Sequence, residues 1–380
     1  MNSRERVHTV MRGELPDRVP IGEFAVDFDT VERIIGHETY LRAKAKSKIA
    51  FWEGRHDEVA QSYSEDHIAL FDKLPMDIIT FPTATFQIPD PTDDPPPRRI
   101  DSTTWEDKYG RVYKLSDATA DITVVADPVV DARVFRPEDF RKPPKEKQLN
   151  EPSRRILRTV MEHFAGNRFI IGPSGGETSI VLLGGMERGL MELATNPETV
   201  RVAAEYGYRS NSLSDKNFIQ PEQDAVLWGK DFGFKTGPFF SPRMFRDVFL
   251  PWIQRHVADI HRDFDKYVMK HACGNNWQLL DMFVEAGYDC YQSIQPTADM
   301  DIAEVKRQYG DKLVLWGGVP VEEMVGGTPE QVRASVRRAM QVAKPGGRFI
   351  LGTSHTIAVG TKYENVMAYL DEHDRLAAYP

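Results

Sequence analysis

Residues 267–294 read YVMKHACGNNWQLLDMFVEAGYDCYQSI, with strand-like runs at 267–271 and 288–294. Between these runs lies a helix-like segment that Gly287 ends. Short apolar strands without alternating polarity, joined through a helix, are typical of parallel sheets that are covered on both faces. The stretch therefore predicts a βαβ unit of an α/β protein.

The same alternation continues on both sides of this unit. Further strand-like runs lie at 19–24, 77–81, 168–172, 224–228, 312–316 and 348–352, with helix-like segments between most of them. Eight strand candidates in alternation with helices favour a closed (β/α)8 TIM barrel over an open sheet. Since 380 residues fit one such barrel with insertions, we predict a single domain over 1–380.

The alternation of strand-like and helix-like segments stops between about 87 and 147. The segment PDPTDDPPPRR at 89–99 cannot continue a helix or a central strand, because proline lacks the backbone donor and fixes φ. Two β-forming stretches, TTWEDKYGRVYKLSD and DITVVADPVV, follow it. We predict an inserted antiparallel flap on the barrel rather than a second domain.

Composition excludes several classes of protein. Acidic residues outnumber basic ones, 57 to 48, so no general basic field attracts nucleic acid. No apolar run approaches the roughly 20 residues of a membrane helix, and the first residues lack the apolar core of a signal peptide. The chain has only two cysteines, Cys273 and Cys290, which excludes a disulfide framework. We therefore expect a cytoplasmic protein that binds neither nucleic acid nor membrane, either as a monomer or as a homodimer.

In a barrel of this kind the chemistry lies just past the carboxyl ends of the strands. His271 and Cys273 stand at one such end, and their i, i+2 spacing in an extended segment points both side chains to one side. A thiolate with an imidazole selects zinc, and His355 after the last strand is the third ligand candidate. Three ligands with an open fourth position are typical of catalytic zinc. The alternatives are a buried structural cysteine beside a hydrogen-bonded histidine, and a solvent-facing His355.

Other strand ends carry carboxylates and aromatic rings. We take Asp231 and Glu177 as candidate catalytic residues, although Asp231 alternatively ties only its own turn. Glu23 is a candidate for substrate binding, and either Glu23 or Glu177 could complete the metal site. The aromatic side chains near strand ends form a candidate substrate pocket or pack in the core: Trp228, Phe232, Phe234, Phe239, Phe240 and Trp316.

Several segments resemble the uroporphyrinogen decarboxylase superfamily, specifically its cobalamin-dependent methyltransferases. The resemblance rests on WGKDFGFKTGPFFSPRMF, VMKHACGNNWQLLDMFVEAGYDCYQSIQP, YGDKLVLWGGV, PGGRFILGTSHTIAVGTKYENVMAYL and the opening SRERVHTVMRGELPDRVPIGEF. It implies zinc held by the HxC pair and a later cysteine, whose place His355 takes here. The Arg-rich N-terminal motif of true decarboxylases is missing, so decarboxylation of uroporphyrinogen is not expected.

The resemblance also implies a corrinoid (cobalamin) cofactor carried by a separate partner protein. One thiolate with two neutral imidazoles leaves zinc at formal charge +1, which favours polarising an oxygen over presenting a nucleophilic thiol. We therefore predict methyl transfer from an O-methyl, methoxylated aromatic substrate to a corrinoid protein. The alternatives are methyl transfer to a thiol or folate, a zinc-dependent decarboxylase or hydrolase, and a non-catalytic barrel that binds a corrinoid or porphyrin-like ligand.

Overall fold

A computed structural model describes residues 1–380. Its strands are β1 Ile78–Thr80, β2 Arg98–Arg99, β3 Thr104–Glu106, β4 Val112–Ser116, β5 Asp121–Ala126, β6 Phe169–Gly172, β7 Ala225–Trp228, β8 Gly233–Phe234, β9 Gly237–Pro238, β10 Tyr267–His271, β11 Cys290–Ile294, β12 Val314–Val319 and β13 Phe349–Thr353. Its α-helices are α1 Ser3–Met11, α2 Phe28–Ile35, α3 Lys44–Trp52, α4 His56–Lys73, α5 Pro128–Asp131, α6 Glu151–Phe164, α7 Met186–Thr195, α8 Pro197–Phe218, α9 Pro242–Met244, α10 Leu250–Phe264, α11 Leu280–Ala286, α12 Ile302–Tyr309, α13 Val321–Gly326, α14 Pro329–Ala343 and α15 Tyr363–Leu376. None of them is long and apolar enough to cross a membrane.

Seven strands form one parallel sheet in the order β1-β6-β7-β10-β11-β12-β13. Alternate side chains from the first and last of these strands, such as Ile78 and Ile350, pack in one apolar cluster. Val7 and Val10 of α1 join the same cluster. Side chains of the two outermost strands meet there because the sheet is curled. The α/β class and the parallel sheet predicted from the sequence are therefore confirmed.

The predicted strand at 19–24 is wrong as a regular strand. Ile21 forms only an isolated parallel bridge to Leu351 of β13, and on its other side its carbonyl accepts from the Asp77 N–H at 2.8 Å. Pro20 explains the irregularity, because it has no N–H to donate to a ladder. The segment lies between the two edges of the curled sheet without completing a regular eight-stranded barrel.

The predicted insertion at 87–147 contains a four-stranded antiparallel sheet in the order β2-β3-β4-β5. Trp105, Tyr113 and Ile122 form its own small cluster, which packs against Ile49 and Trp52 of α3. This cluster is separate from the main core. Antiparallel strands inside the insertion were predicted, and the structure shows that they rest on a helix of the larger unit.

An irregular turn interrupts the helical segment that precedes Pro251. A π-helical turn at Phe245–Phe249 lies between α9 and α10, and Pro251 falls in the first turn of α10. Pro251 has no backbone N–H, so it cannot donate to a carbonyl of the preceding turn. The wider π-helical turn before it changes the donor–acceptor spacing, so that fewer carbonyls are left without a donor.

Candidate active site

His271, Cys273 and His355 come together as one cluster. Their ligand atoms all lie within 4.8 Å of one another, and His271 Nε2 is 3.3 Å from Cys273 Sγ. His271 ends β10, whereas His355 follows β13, three strand positions away in the sheet. In a flat sheet those strands would stand about 14 Å apart. The curl of the sheet therefore assembles the cluster.

Gln292 of β11 orients the His271 imidazole. Its amide nitrogen donates to the carbonyls of Thr353 at 3.2 Å and His355 at 3.3 Å, so its amide oxygen faces His271 Nδ1 and accepts from it. This contact places the proton on Nδ1 and leaves the Nε2 lone pair facing Cys273. Phe24 stacks on the same ring, with the centroids 4.3 Å apart.

Burial keeps both imidazoles of the cluster neutral. It lowers the pKa of His271 to about 4 and lowers the pKa of His355 as well. A neutral imidazole is the form that binds a metal. The cluster thus presents two uncharged nitrogen ligands at neutral pH.

Two contacts hold Cys273, one at its backbone N–H and one at its side-chain sulfur. Its N–H donates to Asp231 Oδ1 at 2.7 Å, and its Sγ lies 3.1 Å from Ser293 Oγ. Burial, reinforced by Asp231, raises the pKa of this thiol to about 12 in the metal-free chain. A metal ion stabilises the thiolate directly, so this thiol is suited to ionise on binding one.

Ser293 and Gln292 are site residues that sequence reasoning missed. Ser293 has φ of +80° at a register shift in β11, and its hydroxyl also donates to the Ser354 carbonyl at 2.7 Å. A non-glycine residue in the left-handed region is strained and needs surrounding support. The available signal was two consecutive polar residues inside an otherwise largely apolar strand.

The carboxylates predicted for the site differ in their surroundings. Asp231 lies beside the cluster, with Oδ1 3.9 Å from His271 Nε2. Glu177 pairs with the fully buried Lys270 at 2.6 Å and accepts from the Lys230 N–H at 2.8 Å. The catalytic roles of Asp231 and Glu177 stay predictions.

Glu23 points into the protein interior. It accepts from the Thr353 backbone at 3.0 Å and from the Tyr369 hydroxyl at 2.7 Å. Complete burial raises its pKa to about 7. Its contacts connect the start of the chain to β13 and α15, and its predicted role in substrate binding stays a prediction.

The predicted aromatic residues separate into different environments. Trp228 lines a cavity of about 980 Å³ and donates through Nε1 to Ser174 Oγ at 3.1 Å. Trp316 and Phe232 are fully buried, and Trp316 donates to the Gly22 carbonyl at 2.9 Å. Phe234 is 51% exposed and packs against Phe239, whereas Phe240 is buried against Phe245. Of this set, only Trp228 borders the cavity.

The cavity adjoins the cluster at Phe24, whose ring lines the cavity and stacks on His271. The three ligand residues themselves are absent from the cavity wall. The ring of Phe24 therefore stands between the cavity and the imidazole of His271. The sequence places Phe24 at the end of the predicted strand at 19–24, but no sequence pattern indicates which aromatic ring lies beside the cluster.

Comparison with known proteins identifies relatives of this chain. A family model described as uroporphyrinogen decarboxylase (URO-D) matches residues 118–376. The uroporphyrinogen decarboxylase of Thioalkalivibrio sulfidiphilus is 26% identical over 140 residues, which are 36% of this chain and 38% of that protein. That of Pseudoalteromonas translucida is 25% identical over 146 residues, 38% of this chain and 40% of that protein. The chain thus matches about two fifths of the length of these relatives.

A solved structure described as a methyltransferase from Methanosarcina mazei has a similar fold. The two structures superpose with a TM-score of 0.64 at 14% sequence identity, over 99% of each chain. At this identity the likeness shows a shared fold over essentially the whole chain.

Proposed function

Because the chain belongs to the uroporphyrinogen decarboxylase family, we propose that it is a zinc-dependent methyltransferase acting on an O-methyl, methoxylated aromatic substrate. The methyl acceptor is the cobalt of a separate corrinoid protein. The observation that carries the proposal is the cluster of His271, Cys273 and His355, with all ligand atoms within 4.8 Å of one another. We further propose that the irregular segment at 19–24, which bridges Leu351 on one side and accepts from the Asp77 N–H on the other, takes the place of the eighth strand of a TIM barrel.

The donor set fits zinc. A thiolate and two imidazoles are ligands that zinc prefers, and three protein ligands leave a position for substrate. His271, Cys273 and His355 would hold the ion, which would supply Lewis-acid activation of the ether oxygen. The amide of Gln292 supports the fit, because metal-binding histidines commonly donate their second N–H to a nearby acceptor.

The residues around the cluster have separate tasks in this proposal. Asp231 fixes the backbone at Cys273, and Phe24 holds the imidazole plane of His271 from one side. Trp228 and Phe24 provide apolar wall that excludes water from the substrate. The chain contributes orientation and a dry pocket, and the partner protein contributes the corrinoid.

Transfer to a simple cobalt acceptor tests the proposal. Zinc-loaded protein is incubated anaerobically with free cob(I)alamin and a panel of methoxylated benzenes, and methylcobalamin is measured by chromatography. We expect zinc-dependent methylcobalamin formation that Cys273→Ser abolishes and that Cys290→Ala, a change at a buried cysteine outside the cluster, leaves intact. Absence of any zinc-dependent product across the panel would contradict the proposal.

A decarboxylase is the second candidate, favoured by the names of the two matched relatives. Adding methoxybenzoates to the panel and measuring carbon dioxide as well as methylcobalamin separates it from the methyltransferase. Release of carbon dioxide from an aromatic carboxylate without methyl transfer would favour this alternative.

A further inference from the structure

A buried network of polar side chains lies behind the wall of the 980 Å³ cavity, outside the candidate metal cluster. At its centre His256 of α10 has no exposed surface. Its Nε2 lies 2.7 Å from Asp215 Oδ2 of α8, and its Nδ1 lies 2.7 Å from Thr178 Oγ1. Asp215 and Thr178 are buried as well. The network therefore joins two helices to the segment that follows β6.

The contacts of this network select one tautomer of His256. The Asp215 carboxylate accepts from the Gly175 N–H at 2.8 Å and from His256 Nε2–H. The Thr178 hydroxyl donates to His256 Nδ1, and its oxygen accepts from the Asn211 amide at 3.4 Å. A proton on Nδ1 would leave the Thr178 hydroxyl hydrogen without an acceptor. Every donor has an acceptor when His256 is neutral with its proton on Nε2.

The network encloses the backbone at 175–178, most of which lines the cavity. Asn211 donates through Nδ2 to the Glu177 carbonyl at 3.0 Å. A Cβ at Gly175 would lie 2.3 Å from the Asn211 carbonyl oxygen, so α8 packs directly on this backbone. Gly176 follows with φ of +144°, and two consecutive glycines restrict the chain very little. The conformation of the segment therefore depends on the network around it.

Two side chains of the cavity wall are in contact with this network. Glu177 directly precedes Thr178, whose hydroxyl donates to His256. The ring of Trp228 lies 4.8 Å from the ring of His256, centroid to centroid, and its Nε1 donates to Ser174 Oγ at 3.1 Å. His256 thus reaches the wall both through the chain at Thr178 and through direct ring contact with Trp228.

We propose that His256 is a positioning residue that holds Glu177 and Trp228 in the wall of the cavity. It belongs neither to the cavity wall nor to the metal cluster, so it acts on a bound molecule only through these two neighbours. The inference rests on the proposed function in one respect, that the cavity receives the substrate. Because Gln292 and Ser293 support the candidate ligands separately, disrupting the network weakens substrate binding without lowering zinc content.

Substitution of Thr178 tests the proposal by kinetics. Thr178→Val removes the hydroxyl at similar volume, whereas Thr178→Ser retains it. Initial rates of methylcobalamin formation are measured with zinc-loaded protein over a range of concentrations of the most reactive methoxybenzene. We expect Thr178→Val to raise KM roughly tenfold and to keep kcat within about twofold, because it leaves His256 Nδ1 unpaired beside the wall. Thr178→Ser is expected to keep KM near that of wild type.

Nuclear magnetic resonance of protein labelled with ¹⁵N-histidine tests the tautomer, with the His256 signals assigned by their loss in His256→Gln. We expect a protonated Nε2 and an unprotonated Nδ1. In Asp215→Asn the amide oxygen stays with the Gly175 N–H, so the amide nitrogen faces Nε2 and the proton moves to Nδ1. This variant is expected to raise KM as Thr178→Val does, and it replaces that variant as the test if Thr178→Val does not fold.

His373→Gln is the matched control, because His373 is also a buried histidine but donates to the Val19 carbonyl at 2.8 Å, away from the cavity wall. It is expected to lower the temperature of thermal unfolding and to leave KM unchanged. A wild-type KM in folded Thr178→Val or Asp215→Asn, or a proton on Nδ1 of His256 in wild type, would overturn the inference.

Hydrogen exchange keeps this inference separable from the proposed function. Amides at 174–178 are expected to exchange at least about tenfold faster in Thr178→Val than in wild type or Thr178→Ser. This result in a protein that forms no methylcobalamin would support the positioning role and contradict the methyltransferase. Unchanged exchange in Thr178→Val, in a protein that does form methylcobalamin, would overturn the positioning role alone.

Discussion

At the scale of single residues, the site depends on side chains that connect neighbouring strand ends. Gln292 binds His271 through its amide oxygen and the His355 carbonyl through its amide nitrogen. Ser293 bridges Cys273 Sγ and the Ser354 carbonyl. Two adjacent residues of β11 thus set the positions of all three candidate ligands.

In the proposed zinc site, His355 takes the place of the second cysteine that the sequence resemblance to cobalamin-dependent methyltransferases predicts. His355→Cys is expected to retain zinc, because a thiolate is an equally good ligand. The second thiolate lowers the formal charge of the zinc site, so methyl transfer is expected to slow roughly tenfold or more. Zinc content by elemental analysis and initial rates of methylcobalamin formation are measured together.

His355→Ala provides the comparison. Loss of one of three protein ligands is expected to lower zinc affinity by more than the roughly 10–100-fold that loss of an outer hydrogen-bond partner costs. A Cys variant that binds zinc and transfers methyl groups as fast as wild type would mean that formal charge does not control the reaction. Methyl transfer to a thiol would then be the better hypothesis.

At the scale of elements, the inserted antiparallel sheet has its own cluster and touches the cavity. Asp121 of β5 pairs with Lys44, and the Ile122 carbonyl accepts from Lys48. Phe135, later in the predicted insertion, belongs instead to the main core. The predicted insertion at 87–147 therefore contains one part that packs outside the main core and one part that packs within it.

Replacing residues 98–126 with a short Gly-Ser linker tests this division. We expect the remaining chain to fold, because Trp105, Tyr113 and Ile122 pack outside the main core. Methylcobalamin formation is expected to fall roughly tenfold, because Lys48 of the cavity wall loses its acceptor at the Ile122 carbonyl. Circular dichroism and initial rates of methylcobalamin formation measure the two effects, with Tyr109→Ser at an exposed turn of the sheet as the control. Complete unfolding would show that the sheet is part of the core.

At the scale of the whole molecule, Glu23 joins distant parts of the chain. Its carboxylate contacts Thr353 of β13 and Tyr369 of α15, across the edge where the curled sheet lacks a regular strand. Trp316 adds a hydrogen bond to the Gly22 carbonyl at 2.9 Å. These contacts attach the start of the chain to its end.

The titration of Glu23 predicts a dependence of global stability on pH. Burial raises its pKa from 4.5 to about 7. Between these values the unfolded chain has lost this proton and the folded chain keeps it, so the contribution of Glu23 to the free energy of unfolding falls as pH rises. The buried His67 and His373, whose pKa burial lowers, contribute with the opposite sign, so Glu23 is isolated by comparing the variant with wild type. The loss approaches about 3 kcal/mol by pH 8, since each pKa unit corresponds to about 1.4 kcal/mol.

Glu23→Gln removes this loss. Urea unfolding with chelator present, at pH 5 and pH 8, is expected to show the variant gaining about 3 kcal/mol relative to wild type over that range. Glu14→Gln, at a side chain that is 59% exposed, is the control and is expected to follow wild type. The same pH dependence in Glu23→Gln and wild type would contradict the assignment.

Sequence patterns alone predicted the α/β class, seven of the strands and the pairing of His271 with Cys273. These features are local: they depend on periodicity along a few residues and on the i, i+2 geometry of extended backbone. The folded structure alone shows that His355 approaches within 4.8 Å of this pair and that Gln292 and Ser293 support it. Such convergence depends on the curvature of the sheet, which joins residues far apart in sequence and leaves no local pattern.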